Sequence, residues 1–548
     1  MKVIVSEEWL EIIKKMLTKQ EGEDFCDRYR WATKGGRIKV DIEKLSEKSL
    51  EAVYNFLKEK GDGGDGSAKL SAGQVKQWIE IRKNPDGQVV SKLENLPSAM
   101  KQYIIKSEHK YLFEQLEDGN MVPWFVEDIK YEEPRPYTQA HVCVTMSALN
   151  SEHKRGRRSS GEDGKCLTIL AEDFRKRTVS QILREQKFYL ETPERMKSYD
   201  EERQRYIELS EQDGYQMNVT GKCNLVGGWY DSGFRGVERA GRPAKMVIDT
   251  ASDNEKDHTA TECKYWIDKP EDHLWQLPTH PVLRMFDLDE HAHYRVHVNN
   301  ATPYQYDTKV GDKLVLPKDV KDFIETLVEH SSNKFQDIVG GKEGGTIILL
   351  EGPPGTGKTL SAEVYSEVMR RPLYKVQSSQ LGTSAKGLED ELKEVLQRAE
   401  KWGAILLIDE ADVYIRSRGE DINQNAIVGV FLRVLEYYRG VLFMTTNRGT
   451  SIDDAIVSRM TARFRYKMPS KEEQVDLWKV LAAQNNIEIE GKEIGLIVQS
   501  NKGMTGRDIK NVLKLAYVLA LKKKQPITAG LVAYVSRFKQ SSQFETNE

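Results

Sequence analysis

The sequence has few cysteines, almost no excess of charge of either sign, and no long apolar run. Of its 548 residues five are cysteine: Cys26, Cys143, Cys166, Cys223 and Cys263. No two form a C-x-x-C pair and the number is odd, which argues against a zinc ribbon or a disulfide framework and favours free thiols in a reducing compartment. With 82 Lys and Arg against 85 Asp and Glu, the formal charge is −3. The chain lacks the strong positive field that nucleic-acid binding needs, so nucleic acid is not the expected partner. The longest apolar stretches, Ile347–Leu350 and Ala404–Ile408, fall far short of the ~20 residues that span a bilayer. The start, MKVIVSEEWLEIIKK, has no signal-peptide apolar region or small-residue cleavage site. A cytoplasmic protein without a membrane span is the expectation.

A content of 39% hydrophobic and 30% charged residues suits a globular chain with sizeable cores, divided into several domains at ~150 residues each. Residues 1–60 read mostly as helix, with Leu10, Ile13 and Leu17 at helical spacing. The run Gly61–Ala68 is a joint by composition, and a second helical piece covers Leu70–Leu116. Residues 1–118 are therefore expected to form a partly helical region. From Met121 short β-rich runs take over (HVCVTMSAL, KCLTIL, AKMVIDT, HYRVHV), interrupted by one helix near Thr178–Gln186 and by the polar loop Ser151–Lys165. Residues 120–310 are expected to be a strand-rich α+β domain for partner or substrate recognition.

From Lys313 onward, strands of four to six apolar residues alternate with amphipathic helices. Strands are expected at Thr346–Leu350, Leu373–Val376, Ala404–Ile408 and Gly440–Thr445. Helices are expected at Lys318–Glu329, Thr359–Met369, Leu388–Lys401 and Gln424–Tyr438. Such alternation implies an α/β fold with a parallel sheet covered on both faces, over 313–468. After Pro469 the pattern is almost all helix, a lid over 469–540.

The motifs lie in this second half. Gly352-Pro353-Pro354-Gly355-Thr356-Gly357-Lys358-Thr359 matches the P-loop pattern G-x-x-x-x-G-K-[ST], with an apolar strand before it and a helix, opening through Leu360, after it. Glycines let successive backbone N–H groups face the phosphates of ATP, and the helix N-terminus adds its positive end. Lys358 would reach the β- and γ-phosphates and Thr359 would ligate Mg²⁺. Ala404–Ile408 then delivers Asp409 and Glu410 to the carboxyl edge of the sheet. Asp409 would join the Mg²⁺ shell and Glu410 would act as general base toward water. Asn447, closing Thr445-Thr446-Asn447, is placed to orient that water.

In this order, GPPGTGKT, LLIDEAD, TTN and TGRDIKN resemble the AAA family of ATPases from Lys313 to the C-terminus. LRVLEYYRGVLFMTTNR, followed by a D-A-x-x-S-R segment, is similar to a subgroup that joins one ATPase module to a large N-terminal region. The resemblance implies a P-loop NTPase core, a helical lid, and a ring, most simply a homo-hexamer. It implies that Arg507 in TGRD senses the γ-phosphate from the lid, and that Arg459, or failing it Arg463, reaches a neighbouring subunit's ATP. In the family two residues, the second a glycine, usually separate the paired arginines; here Met460, Thr461 and Ala462 intervene. Many unfoldases of the family carry an aromatic pore loop after the second strand, whereas Ser378–Lys386 has no aromatic residue. A remodeller that does not thread its protein client suits this loop better.

Three other features read blandly. His291, His293 and His297 alternate, but a strand rises ~3.3 Å per residue, so the outer two lie about 20 Å apart and cannot share one ion. Arg416 and Arg418, and the cluster Lys154–Arg158, read as solvated charges. The function expected is an oligomeric ATPase that remodels an unidentified protein client. A DNA-directed loader or helicase and a nucleotide-gated binding module are the alternatives.

Overall fold

A computed structural model describes residues 2–18, 21, 37–42, 45–63, 65–83, 89–90, 92–148, 163–174, 177–226, 234–239, 241–249, 277–330, 344–382, 385–419, 421–447, 452–501 and 503–540. These fall into two compact units. The first comprises residues 1–209, 251–283 and 296–299, and the second 210–250, 284–295 and 300–548. The cluster Lys154–Arg158 and most of the loop containing it lie outside the described residues.

The first unit differs from the helical expectation at its start. Lys2–Ser6 pairs antiparallel with Arg37–Asp41, Val3 opposite Val40. Val3, Val5 and Val40 are buried, so this alternating run uses a two-residue period before the helix Glu7–Met16 begins. Helices Glu47–Asp62 and Gly66–Lys83 follow, so most of the run that the sequence reads as a joint is helical. The helix Leu96–Ile105 then gives way to a strand at Tyr111–Gln115. A five-stranded antiparallel sheet runs in the order Asp163–Leu170, His141–Ala148, Met121–Glu132, Tyr111–Gln115, Phe188–Leu190. Trp78 and Trp124 are fully buried in the core beside it. Helix Pro193–Ser210 has no apolar stripe, and Tyr199 is its one buried residue, which is why periodicity does not reveal it.

Cys143 and Cys166 lie diagonally on neighbouring strands, Thr145 facing Cys166, and are joined by a disulfide with a Cα separation of 6.0 Å. This corrects the expectation of free thiols; their separation of 23 positions in the sequence conceals the pairing. Cys223 is buried.

The second unit holds most of one further sheet and the whole of another. One is seven-stranded, ordered Phe234–Gly236, Lys222–Leu225, Ala292–His297, Val282–Asp287, Ala244–Ile248, Gln216–Val219, Ala301–Pro303. The other is five-stranded and parallel: β1 (Thr346–Glu351), β2 (Leu373–Gln377), β3 (Ile405–Asp409), β4 (Val441–Thr446) and β5 (Ala462–Arg465), in the order β2-β3-β4-β1-β5. Alternate residues of its strands enter two separate apolar clusters. Ile347, Leu349, Leu406, Ile408 and Leu442 join helices α2 (Ala385–Lys401) and α3 (Ile422–Leu435). Ile348, Leu350, Ile405, Leu407 and Phe443 join α1 (Lys358–Val368). Burial on both faces is the reason these strands are continuously aliphatic. The α2 stripe of Leu388, Leu392, Val395, Leu396 and Ala399 is buried as its spacing requires.

The unit's boundary does not coincide with residue 310. Val247, Phe286 and Leu288 of the seven-stranded sheet share a cluster with Tyr374, Leu392 and Trp402. At Gly214 (φ +81°) a Cβ would lie 2.7 Å from Trp402 Cα, so only glycine permits this approach. Helices α4 (Lys471–Gln484), α5 (Gly491–Ser500), α6 (Gly506–Lys523) and α7 (Ala529–Gln540) close around a core of their own containing Trp478, Ile497 and Val512. Among the described residues no helix is long and apolar enough to cross a membrane.

Candidate nucleotide-binding site

The site forms where β1 ends. Gly352 takes φ +148°, and a Cβ there would stand 2.3 Å from the Tyr466 carbonyl oxygen. Gly355 and Gly357 are also left-handed, at +80° and +99°. Next to Gly357 the space is open: a Cβ there would meet nothing within 4 Å. The loop is internally fixed by Thr356, whose hydroxyl donates to Pro353 O at 2.8 Å, and by Ser361 Oγ, which donates to Gly357 O at 3.0 Å.

Lys358 opens α1 and is buried. Its Nζ donates to Gly352 O and Pro353 O, each at 2.8 Å, and to Asn447 Oδ1 at 2.9 Å. Burial pushes its ammonium pKa down, and the nearby carboxylates of Asp409, Asp412 and Glu410 oppose that shift. Thr359 Oγ1 donates to Asp409 Oδ1 at 2.9 Å. The structure thus brings Lys358, Thr359, Asp409 and Asn447 together. Leu360, next on α1, is half-exposed.

Asp409 is tied on both oxygens. Oδ1 also accepts from Thr445 Oγ1 at 2.6 Å, and Oδ2 lies 3.2 Å from Lys375 Nζ. Burial alone would raise its pKa, but the hydrogen bonds from Thr445 and Thr359 and the charge of Lys375 hold it below the ordinary aspartate range. Glu410 is exposed and has φ +56°, an uncommon conformation for a residue with a side chain. Its N–H donates to Thr445 Oγ1 at 3.0 Å. Thr446 donates to Asp412 Oδ1. From the lid, Arg507 N–H donates to Gly355 O at 3.3 Å.

The two candidate finger arginines are held elsewhere within their own chain. Arg459 donates to Leu432 O and pairs with Glu436 at 3.3 Å. Arg463 pairs with Glu351 Oε2 at 2.6 Å, and Arg465 with Glu351 Oε1 at 2.6 Å. Glu351, the buried last residue of β1, is one of the groups that the motifs do not reveal. Lys375, Asp412 and Thr445 are others. Asp412 and Thr445 lie inside LLIDEAD and TTN, but their partners do not follow from those motifs.

Outside this site, Arg418 pairs with Asp453 at 2.9 Å. His293 is bonded to Asp249 at 2.7 Å, His291 packs on Tyr374, and His297 is buried, its pKa lowered to about 4 by that burial. Among the described residues no group of three or more His, Cys, Asp or Glu is placed to hold a metal.

The residues around the P-loop fit a nucleotide and its cation. Left-handed glycines and a lysine at a helix start suit a polyphosphate. The hydroxyl of Thr359 and the carboxylate of Asp409, both hard oxygen donors, suit Mg²⁺. When bound, Mg²⁺·ATP supplies the phosphoanhydride and the charge neutralisation that its cleavage needs.

Comparison with known proteins agrees with this geometry. Residues 348–468 match the family "ATPase family associated with various cellular activities (AAA)". The chain is 28% identical to a mitochondrial sorting homolog of Caenorhabditis elegans, over 42% of this chain and 69% of that protein. It is 28% identical to the ATP-dependent zinc metalloprotease FtsH of Mesomycoplasma conjunctivae, over 39% of this chain and 30% of that protein. It is 25% identical to spastin of Bos taurus, over 42% of this chain and 38% of that protein. The last two matches span about a third of each relative's length. The chain therefore carries an AAA module: a P-loop α/β core of the ATP-hydrolysing class, working with ATP and Mg²⁺.

Proposed function

We propose that the chain is an oligomeric AAA ATPase that couples hydrolysis to the remodelling of a protein client recognised through residues 1–310. The observation that carries the catalytic part is the convergence of Lys358, Thr359, Asp409 and Asn447 at one end of the parallel sheet. In this reading the P-loop backbone and Lys358 hold the phosphates, and Thr359 and Asp409 hold Mg²⁺. Glu410 takes the proton from water, and Asn447 orients that water. Arg507 senses the γ-phosphate from the lid. Arg459, or failing it Arg463, acts on a neighbour's site in a homo-hexameric ring, which requires either guanidinium to leave its present partner.

The client part is supported by the large N-terminal region and by the absence of an aromatic residue in Ser378–Lys386, which favours action without threading. A net charge of −3 favours a protein over nucleic acid as the client.

The test is Glu410→Gln. Steady turnover should fall by roughly 100-fold or more while ATP binding persists. Particle mass with ATP should then report the ring and, in the same preparation, any captured client. Turnover equal to the parent's would remove Glu410 as the base.

A further inference from the structure

Resting on the roles given to Asp409 and Glu410 above, we propose that Thr445 is a positioning residue for ATP hydrolysis, setting the metal-side carboxylate and the base-bearing backbone relative to each other through one hydroxyl. Thr445 is next to last in β4 and buried. The β3–β4 register pairs Ile408 with Met444, so Thr445 arrives beside Asp409. Its Oγ1 donates to Asp409 Oδ1 at 2.6 Å and accepts the Glu410 N–H at 3.0 Å, and its carbonyl accepts the Ala411 N–H at 2.9 Å. A single residue therefore ties down Asp409, Glu410 and Ala411 in succession.

A hydroxyl has one proton and two lone pairs, so it serves both bonds at once; the isosteric methyl of valine serves neither. The tie matters most at Glu410, whose left-handed backbone must be held by its surroundings. Each residue at this strand end has its own partner: Thr445 holds Asp409, Thr446 holds Asp412, and Asn447 accepts from Lys358. The carboxylate of Glu410 can meet water productively only if the chain bearing it is fixed, because small displacements of a catalytic group cost large factors in rate.

The experiment compares Thr445→Val and Thr445→Ser in the full chain, reading kcat and KM for ATP and the affinity for a fluorescent ADP analogue. Valine is expected to lower kcat by about 10- to 100-fold. ADP affinity should stay within about threefold of the parent, because Lys358 and the P-loop are untouched. Serine, which keeps the hydroxyl, should restore kcat to within about threefold. A valine variant with parental kcat overturns the proposal. So does one that loses ADP binding together with kcat, since that marks a purely structural role, and so does a serine variant that fails to recover. Glu410→Gln is run alongside. If that variant turns over normally, the assignment of the base has failed, which is a separate outcome from any result at Thr445.

Discussion

The ammonium of Lys358 donates directly to the side-chain oxygen of Asn447 at 2.9 Å, joining the first residue of α1 to the residue that follows β4. The strand order places β4 beside β1, so two residues 89 positions apart in the chain meet at one point.

Lys358→Ala removes the one buried cation of the loop. ATP affinity should fall by about 10- to 100-fold, the range for losing a charge-assisted hydrogen bond. Titration with a fluorescent nucleotide measures this, and circular dichroism checks that the variant is folded. A folded variant that binds and cleaves ATP like the parent would mean that the P-loop is not the nucleotide site.

Gly352→Ala tests the geometry of the loop. The added Cβ would meet Tyr466 O at 2.3 Å and Tyr466 Cβ at 2.9 Å, on a backbone with φ +148°. Either the loop or the chain at Tyr466, just after β5, must shift, at about 1–3 kcal/mol. A lower denaturation midpoint together with weakened nucleotide binding is expected. Unchanged values of both would show that the loop is not constrained as described.

Glu351 gives a pH-dependent prediction. Burial works against its ionisation, but Arg463 and Arg465 outweigh that and hold its carboxyl below the ordinary glutamate range. A depressed folded-state pKa contributes stability that is present above the unfolded-state value, ~4.3, and is lost as pH falls through the folded-state value. Glu351→Gln should therefore destabilise the protein by about 1–2 kcal/mol at neutral pH, a figure kept small because both arginines are partly solvated. The gap between parent and variant should narrow as pH drops below ~4. Denaturant midpoints for the pair across pH measure this. A gap independent of pH would show that the carboxylate charge contributes nothing.

Arg459 and Arg463 are separated by subunit mixing. If Arg459 is the finger, Arg459→Ala should lose roughly 1,000-fold or more in turnover. Adding Glu410→Gln subunits should restore part of it, because mixed rings contain junctions where an intact arginine meets an intact base. Arg463→Ala should act mainly by leaving one oxygen of the buried Glu351 unpaired, seen as lost stability. Rescue of Arg463→Ala but not of Arg459→Ala in the mixing experiment would reverse the assignment.

The sequence by itself determined the parallel α/β core, the lid, the P-loop and the acidic pair, because each is written in contiguous residues. A strand of buried aliphatics, a run of glycines ending in Lys358-Thr359, and a helix with one apolar stripe follow from local sterics and periodicity alone. Only the tertiary structure decided which side chains hold these pieces in place. Thr445 with Asp409, Asp412 with Thr446, Glu351 with Arg463, and Cys143 with Cys166 lie on separate elements, and chain spacing does not encode their contact. The strand at Lys2–Ser6 and the polar helix at Pro193–Ser210 were hidden for a related reason. The first takes its identity from a partner more than 30 residues away, and the second buries almost nothing that a periodic pattern could report.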